Sequence, residues 1–175
     1  MRGRSAPRGT MKPTRRIHAR TIIAATFLMT TLAAVLPGLA SAQTKGQKGK
    51  TFAQKLVETT KANHPESDEI GISANTDHGC VGIASTDKTD IGGKCEKEDA
   101  EPMHTGKPVV EKEKDGFDVS LPLHDSTGKI IGTVGVGFKS VSGQTKASVT
   151  EQALKIAAEM EPRIPSKAKL FERSE

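Results

Sequence analysis

The chain has 175 residues, of which 26 are basic and 21 acidic, with two cysteines and no tryptophan or tyrosine. Seven basic residues and no acidic residue fall within positions 1–42, so residues 43–175 keep 19 basic against 21 acidic side chains, a net charge of −2. No positive field remains there to attract nucleic acid, and we exclude a nucleic-acid partner. The remaining length predicts one domain with one modest core.

Residues 1–42 have the pattern of a secretory signal peptide. An apolar run follows the basic stretch, and Ala40 and Ala42 form a small-residue cleavage pattern, which predicts a mature chain beginning at Gln43. The alternative is an uncleaved membrane anchor, because the run is long enough to span a bilayer. Export by the general or the twin-arginine route stays open. We expect the mature protein in the periplasm or outside the cell, with no stable membrane insertion after cleavage.

The mature chain opens with a tether and a helix. Residues 43–50 are rich in glycine, lysine and glutamine and predict a flexible tether. The single domain is expected over residues 51–163, and its first helix begins with a capping box that pairs Thr51 with Gln54.

Five strands are predicted, in the order hairpin, edge strand, second hairpin. A capping segment at 87–106, with one or two helical turns, separates the first hairpin from the edge strand. The strands are predicted at residues 70–75, 80–86, 107–114, 117–123 and 130–138.

Alternation sets the faces of the last two strands. In the fourth strand one face is apolar, with Phe117, Val119, Leu121 and Leu123, and the other carries Asp118 and Ser120. In the fifth strand the two predicted faces are Ile130, Val134, Val136 and Phe138 against Ile131, Thr133, Gly135 and Gly137. Glycines in a strand indicate that something passes close by, and a tightly packed helix is the preferred explanation over a ligand.

A helix and a tail complete the domain. Ser148 and Glu151 predict a capping box for a helix that Pro162 and Pro165 end. Residues 164–175 are predicted to form a frayed tail.

Two stretches carry a shared pattern. The first contains Asp77, Gly79, Val81, Ile83, Ala84, Ser85, Thr86, Asp90, Ile91 and Gly92, and the second contains Leu121, Pro122, Leu123, Asp125, Gly128, Lys129, Ile131, Gly132, Val134, Val136 and Phe138. Together they resemble the Cache domain, the PAS-like extracytoplasmic sensor domain of bacterial chemoreceptors and sensor kinases. The resemblance implies an α+β fold with a five-stranded antiparallel sheet, N- and C-terminal helices, and a small ligand between the capping segment and one sheet face.

The two cysteines are candidates for a structural bridge. Cys80 and Cys95 are the only pair, and in an exported domain such a pair usually forms a disulfide. The alternatives are a redox pair or a metal site that includes His78, His104 and His124. The spacing of these residues fits no metal motif, and we predict neither a metal nor a cofactor.

The ligand, if one binds, is predicted to lie over the sheet face that carries Asp118 and Ser120. The capping segment would roof that face, and Ser85, Met103 and His104 would complete a small polar pocket. With Asp118 inside and no arginine nearby, a cationic or neutral polar ligand is favoured.

The sequence therefore predicts an exported, non-enzymatic sensor-type domain that binds a small polar ligand, with a membrane-bound receptor as a candidate partner. One alternative is an accessory or structural domain of the same fold that binds a protein and no ligand. The other, ranked last, is a thiol-redox or metal-binding protein.

Overall fold

The computed structural model describes residues 49–174, which form an α+β, PAS-like fold with one five-stranded antiparallel sheet, as predicted. The strand order is β2-β1-β5-β4-β3. The strands are β1 (Glu69–Thr76), β2 (Gly79–Ser85), β3 (Val109–Lys112), β4 (Gly116–His124) and β5 (Ile130–Lys139). The helices are α1 (Phe52–Asn63), α2 (Lys97–Thr105), α3 (Lys146–Met160) and α4 (Lys167–Phe171). Within these residues no helix is long and apolar enough to cross a membrane. The predicted signal peptide lies outside the described residues.

The core lies between one face of the sheet and the helices α1 and α3. Alternate residues of β4 point into it, and Val119, Leu121 and Leu123 are fully buried there, as the alternation predicted. Val57 of α1 and Ile156 of α3 pack on the same cluster. Because aliphatic side chains supply nearly all of this core, its stability depends on close packing of small groups.

Both helix starts differ from the predicted capping boxes. Thr51 caps α1 by accepting a hydrogen bond from the backbone of Gln54, but the Gln54 side chain turns away towards the sheet. The N-cap of α3 lies three residues before Ser148, because Thr145 fills that position and pairs reciprocally with Ser148. A sequence offers several Ser and Thr residues near a helix start, and tertiary contacts choose among them.

The hairpin of β4 and β5 contains an irregularity that corrects one face assignment. The register shifts between Leu123 and His124, where Leu123 pairs with Gly132 and His124 with Ile130. The shift leaves Ile131 without a partner, and Ile131 joins the core while Ile130 is only half-buried. The predicted placement of these two isoleucines was therefore wrong.

The C-terminal tail is not frayed within the described residues. Ile164 and Leu170 are both fully buried, and α4 packs against α1. The backbone of Phe52 donates a hydrogen bond to the carbonyl of Glu172, at 2.7 Å, so the end of the tail is tied to the start of α1. Sequence reasoning missed Ile164 and Leu170 as core residues, because charged residues dominate this segment.

We expect Leu170→Ala to destabilise the protein by about 2–4 kcal/mol, because it leaves a cavity at a residue that is 0% exposed. Urea unfolding measures this change. The matched control is Phe171→Ala, at the next residue, which is 42% exposed and should cost much less. Equal, negligible effects of both substitutions would support the frayed tail instead.

Candidate ligand cavity

A cavity of about 490 Å³ lies on the sheet face opposite the core. Its floor consists of β1, β5 and β4, and the segment between β2 and α2, with the first turn of α2, forms its wall and roof. This is the location predicted for a ligand, between the capping segment and the face that carries Asp118.

Glycine forms the centre of the cavity floor. Gly71, Gly135 and Gly137 all line the cavity, and a Cβ atom built on Gly135 would meet no atom within 4 Å. The preferred explanation for the glycines of β5, a tightly packed helix, is therefore wrong at Gly135 and Gly137. At Gly132 the close neighbour is the backbone of β1, because a Cβ there would overlap the carbonyl oxygen of Ser73.

Strand register places a polar residue on each side of this glycine floor. Gly137 pairs with Glu69 on β1 and with Asp118 on β4. Gly135 pairs with Gly71, which pairs in turn with Ser85 on β2. On its other side Gly135 pairs with Ser120 of β4. Residues that pair across an antiparallel sheet share a face, so all of these positions face the cavity side.

The first polar side of the floor, here called the Glu69 end, consists of Glu69, Ser85 and Asp90. The Ser85 hydroxyl lies 2.7 Å from Glu69 Oε1 and 3.3 Å from Asp90 Oδ2, and Ser85 is 3% exposed. Burial, and then the hydrogen bond with Asp90, raises the pKa of Glu69 to about 7. Glu69 therefore keeps a proton up to about neutral pH.

The Glu69 end is held from the other side of the sheet by Gln54. The Gln54 amide donates to the carbonyl of Ser85 at 2.8 Å, and its oxygen accepts from the backbone of Ser85 at 3.2 Å. This two-point contact explains why Gln54 does not complete the predicted capping box. It fixes the end of β2, and with it the Ser85 hydroxyl, relative to α1.

The second polar side, here called the Asp118 end, consists of Asp118, Ser120 and Asp99. Ser120 is 3% exposed, and its hydroxyl lies 3.4 Å from Asp99 Oδ1 of α2. Burial, and then the negative charge of Asp99, raises the pKa of Asp118 to about 6. The backbone carbonyl of Asp99 also accepts from Thr133 of β5 at 2.6 Å, which docks α2 onto the sheet.

The predicted disulfide holds the roof in place. Cys80 and Cys95 are bonded, with Cα atoms 5.4 Å apart, which confirms the pairing. Beside it, the backbone of Gly82 donates to the carbonyl of Gly93 at 2.9 Å, so the roof segment pairs with the edge of β2. A disulfide fits an oxidising compartment, in line with the predicted location outside the cytoplasm.

The cavity is strongly acidic. Its one basic lining residue is Lys94, whose side chain is exposed. Its acidic lining residues are Asp68, Glu69, Asp90, Glu96, Asp99, Glu113, Asp115 and Asp118. Asp68 forms an ion pair with Lys139 at 2.9 Å, whereas no ion pair to Glu69, Asp90, Asp99 or Asp118 occurs among residues 49–174. The cavity would attract a cation and repel an anion.

The structure places some of the predicted pocket residues in the cavity and others outside it. Ser85 and Asp118 line the cavity, and Ser120 lies buried beneath the roof beside Asp99. Met103 and His104 do not line it, because they lie at the far end of α2, where Met103 is half-buried and His104 is exposed. The helix presents its first turn to the cavity instead of its last.

Sequence reasoning missed Glu69, Asp90 and Asp99. Glu69 stands one residue before the predicted start of the first strand, and the two aspartates lie in the capping segment, whose path over the sheet no local pattern reveals. The available signal was the spacing of Glu69 and Gly71, which places them on one face of β1.

Within residues 49–174, no metal site forms from the candidate histidines His78, His104 and His124. His78 is exposed in the turn between β1 and β2, and His124 Nδ1 lies 2.6 Å from Glu161 Oε1. Both cysteines are in the disulfide. Within the described part of the chain, the ligand atoms that lie close enough together to hold a metal ion belong to Glu69, Asp87 and Asp90.

No protein-family model matches the sequence, and no curated protein matches it. The solved structures to which the chain is similar include the following three. The C-terminal domain of the E. coli transcriptional regulator KdgR is 10% identical, with 65% of this chain and 96% of that chain covered and a TM-score of 0.47. A type II free methionine-R-sulfoxide reductase from Thermoplasma acidophilum is 16% identical, covering 67% and 91%, with a TM-score of 0.44. The E. coli DcuS sensor domain is 17% identical, covering 58% and 71%, with a TM-score of 0.37. At this level of similarity, function has to be argued from the cavity itself.

The raised pKa values predict how stability depends on pH. The folded protein holds protons on Glu69 and Asp118 that the unfolded chain has already released, so it binds more protons and loses stability as pH rises. We expect the ligand-free protein to melt at a lower temperature at about pH 8 than at about pH 5.

Glu69→Gln should flatten this slope, because glutamine keeps the hydrogen bonds without the titration. His64 is the internal check. Burial disfavours the charged form of His64, but hydrogen bonds to Glu159 and Glu66 outweigh this effect and raise its pKa. The stabilisation that His64 contributes to the folded protein is therefore also lost as pH rises. His64→Gln should remove the part of the pH slope that is due to His64 and leave the part that is due to Glu69. A slope that Glu69→Gln leaves unchanged would contradict the raised pKa of Glu69.

The disulfide closes a loop with a sequence separation of 15, which predicts a stabilisation of about 3 kcal/mol. We expect the double variant Cys80→Ser, Cys95→Ser to lose about that much in urea unfolding. Reductant should lower wild type to the level of the variant and leave the variant unchanged. If reductant leaves the free energy of unfolding of the wild type unchanged, the bridge is absent.

Proposed function

We propose that the protein is an exported, non-enzymatic domain of the sensor type that binds a small polar molecule, cationic or neutral, in the cavity between the capping segment and the sheet. The observation that carries the proposal is the cavity itself. It is roofed, it is cross-linked by a disulfide, and its floor is left open by glycine where a side chain would fill it.

The charge of the lining supports the choice of ligand. Four carboxyl groups at the two polar ends have no basic partner in the described chain, and the pKa values of two of them are raised. A cation there would offset the neighbouring negative charge that, after burial, helps to raise these pKa values. An anionic ligand would add to that repulsion.

The lining favours binding over catalysis. It offers carboxylates, hydroxyls and backbone groups, and neither a histidine nor a free thiol is among the lining residues. The resemblance to the Cache domain and the predicted signal peptide support a sensor role outside the cytoplasm. A membrane-bound receptor that recognises the loaded domain is the protein partner that such a role requires.

A melting-temperature screen tests this function. We expect one or more small cations or neutral polar molecules to raise the melting temperature of wild type, because a ligand that binds only the folded state stabilises it by mass action. The same molecules should not stabilise Gly135→Ile, in which a strand-favouring side chain stands on the cavity floor.

The control is Val109→Ile, which enlarges a β3 residue in the same cross-strand row, outside the cavity. It should respond to ligand like wild type. Stabilisation of Gly135→Ile and wild type to the same extent would place the ligand elsewhere. Failure of cationic, neutral and anionic molecules alike to stabilise wild type would contradict the proposed function.

A further inference from the structure

The two polar ends of the cavity have the same chemistry. Each combines a serine that is 3% exposed, one carboxyl group from a strand and one from the capping segment. At the Glu69 end the segment supplies Asp90, and at the Asp118 end it supplies Asp99. The two ends are built from different strands, so this correspondence does not come from a sequence repeat.

The spacing between the ends is set by the sheet. Glu69 and Asp118 both pair with Gly137, so they stand on either side of one residue in the same cross-strand row. Two strand spacings separate their Cα atoms by about 10 Å. A compact cation bound at one end cannot contact the other end as well.

Nothing in the floor separates the ends. Gly135 and Gly137 lie between them without side chains, and Gly71 lies beside them. A trough bounded by backbone accommodates an extended chain of methylene groups that lies across the strands. Backbone atoms offer such a chain close contact without selecting for branches.

We propose that the ligand is a linear aliphatic diamine in its doubly protonated form, with one ammonium group at the Glu69 end, the other at the Asp118 end and its methylene chain over Gly135 and Gly137. This inference rests on the proposed function, since it names the ligand class of the same cavity.

An ammonium group matches what each end offers. It carries three N–H donors and no acceptor. Each end offers two carboxyl groups, and the Glu69 end also offers the hydroxyl oxygen of Ser85, which lines the cavity and donates its own proton to Glu69. Hydrogen bonds between ammonium and carboxylate are among the stronger ones, and partial burial limits their screening by salt. The second charge therefore adds affinity that a monoamine cannot obtain.

Binding of the diamine should release protons. The groups that face Glu69 are the Ser85 hydroxyl and the carboxylates of Asp87 and Asp90; those near Asp118 are Asp99, Glu111 and Glu113. All of the charged groups among these are acidic. Together with burial, they keep a proton on Glu69 up to about pH 7 and on Asp118 up to about pH 6, and an ammonium group would replace it. Affinity for the diamine is expected to rise with pH until Glu69 and Asp118 are ionised.

Titration calorimetry of the mature protein with straight-chain diamines of increasing length, each paired with the monoamine of equal length, tests the inference. We expect one length to bind best, at least about tenfold more tightly than its monoamine. Asp118→Asn should reduce the affinity of that diamine to the level of the monoamine, while monoamine binding at the Glu69 end persists.

The matched control is Glu111→Gln, which removes one negative charge from the cross-strand neighbour of Asp118, on a residue outside the cavity lining. It should leave the preference for the diamine intact. Equal affinities of diamine and monoamine would overturn the two-ended ligand and leave the proposed function standing. If Mg²⁺ or Ca²⁺ alone stabilises wild type and this effect is lost in Glu69→Gln, the two-ended ligand is likewise overturned and the proposed function stands. If no small molecule of any charge binds, the proposed function fails with it.

Discussion

The pairing register of β5 between β1 and β4 is the constraint on which the cavity depends. In that register Gly135 and Gly137 lie beside Ser120 and Asp118, while Val136 and Phe138 point into the core. A slip of one residue would expose the valine and phenylalanine on the cavity side and bury glycine in the core. The buried apolar face therefore specifies the position of the polar groups on the opposite face.

The roof is fixed by fewer interactions than the floor. The disulfide secures one point of the segment between β2 and α2, and the bond from Thr133 to the carbonyl of Asp99 secures another. Ser120 contributes a longer hydrogen bond to the Asp99 side chain, at 3.4 Å. The Asp118 end is thus formed partly by α2, which within the described residues hydrogen-bonds to the sheet through Thr133 and Ser120.

Local patterns in the sequence were sufficient for the sheet and for one face of the site. Alternation through β4 placed Val119 in the core and Asp118 on the opposite face, and the two cysteines predicted the bridge over the capping segment. These inferences need only the period of a strand and the chemistry of an oxidising compartment.

Long-range packing decided what local patterns could not. His104 seemed a pocket residue because it lies in the roof segment, but which turn of α2 meets the sheet depends on the bond between Thr133 and Asp99. The Gln54 side chain could bond either to the N-cap of α1 or to the backbone of Ser85, and in the structure it bonds to Ser85. The buried Leu170 in a charged tail gave no periodic signal in so short a helix.

The cavity should hold a small molecule in the compartment where the protein resides. Native mass spectrometry of the protein isolated without added ligand from its own host, beside Gly135→Ile prepared in the same way, tests it most directly. We expect wild type to carry a small, non-anionic molecule that the variant lacks. Two results would contradict this expectation: neither protein carries a bound molecule, or both carry the same one.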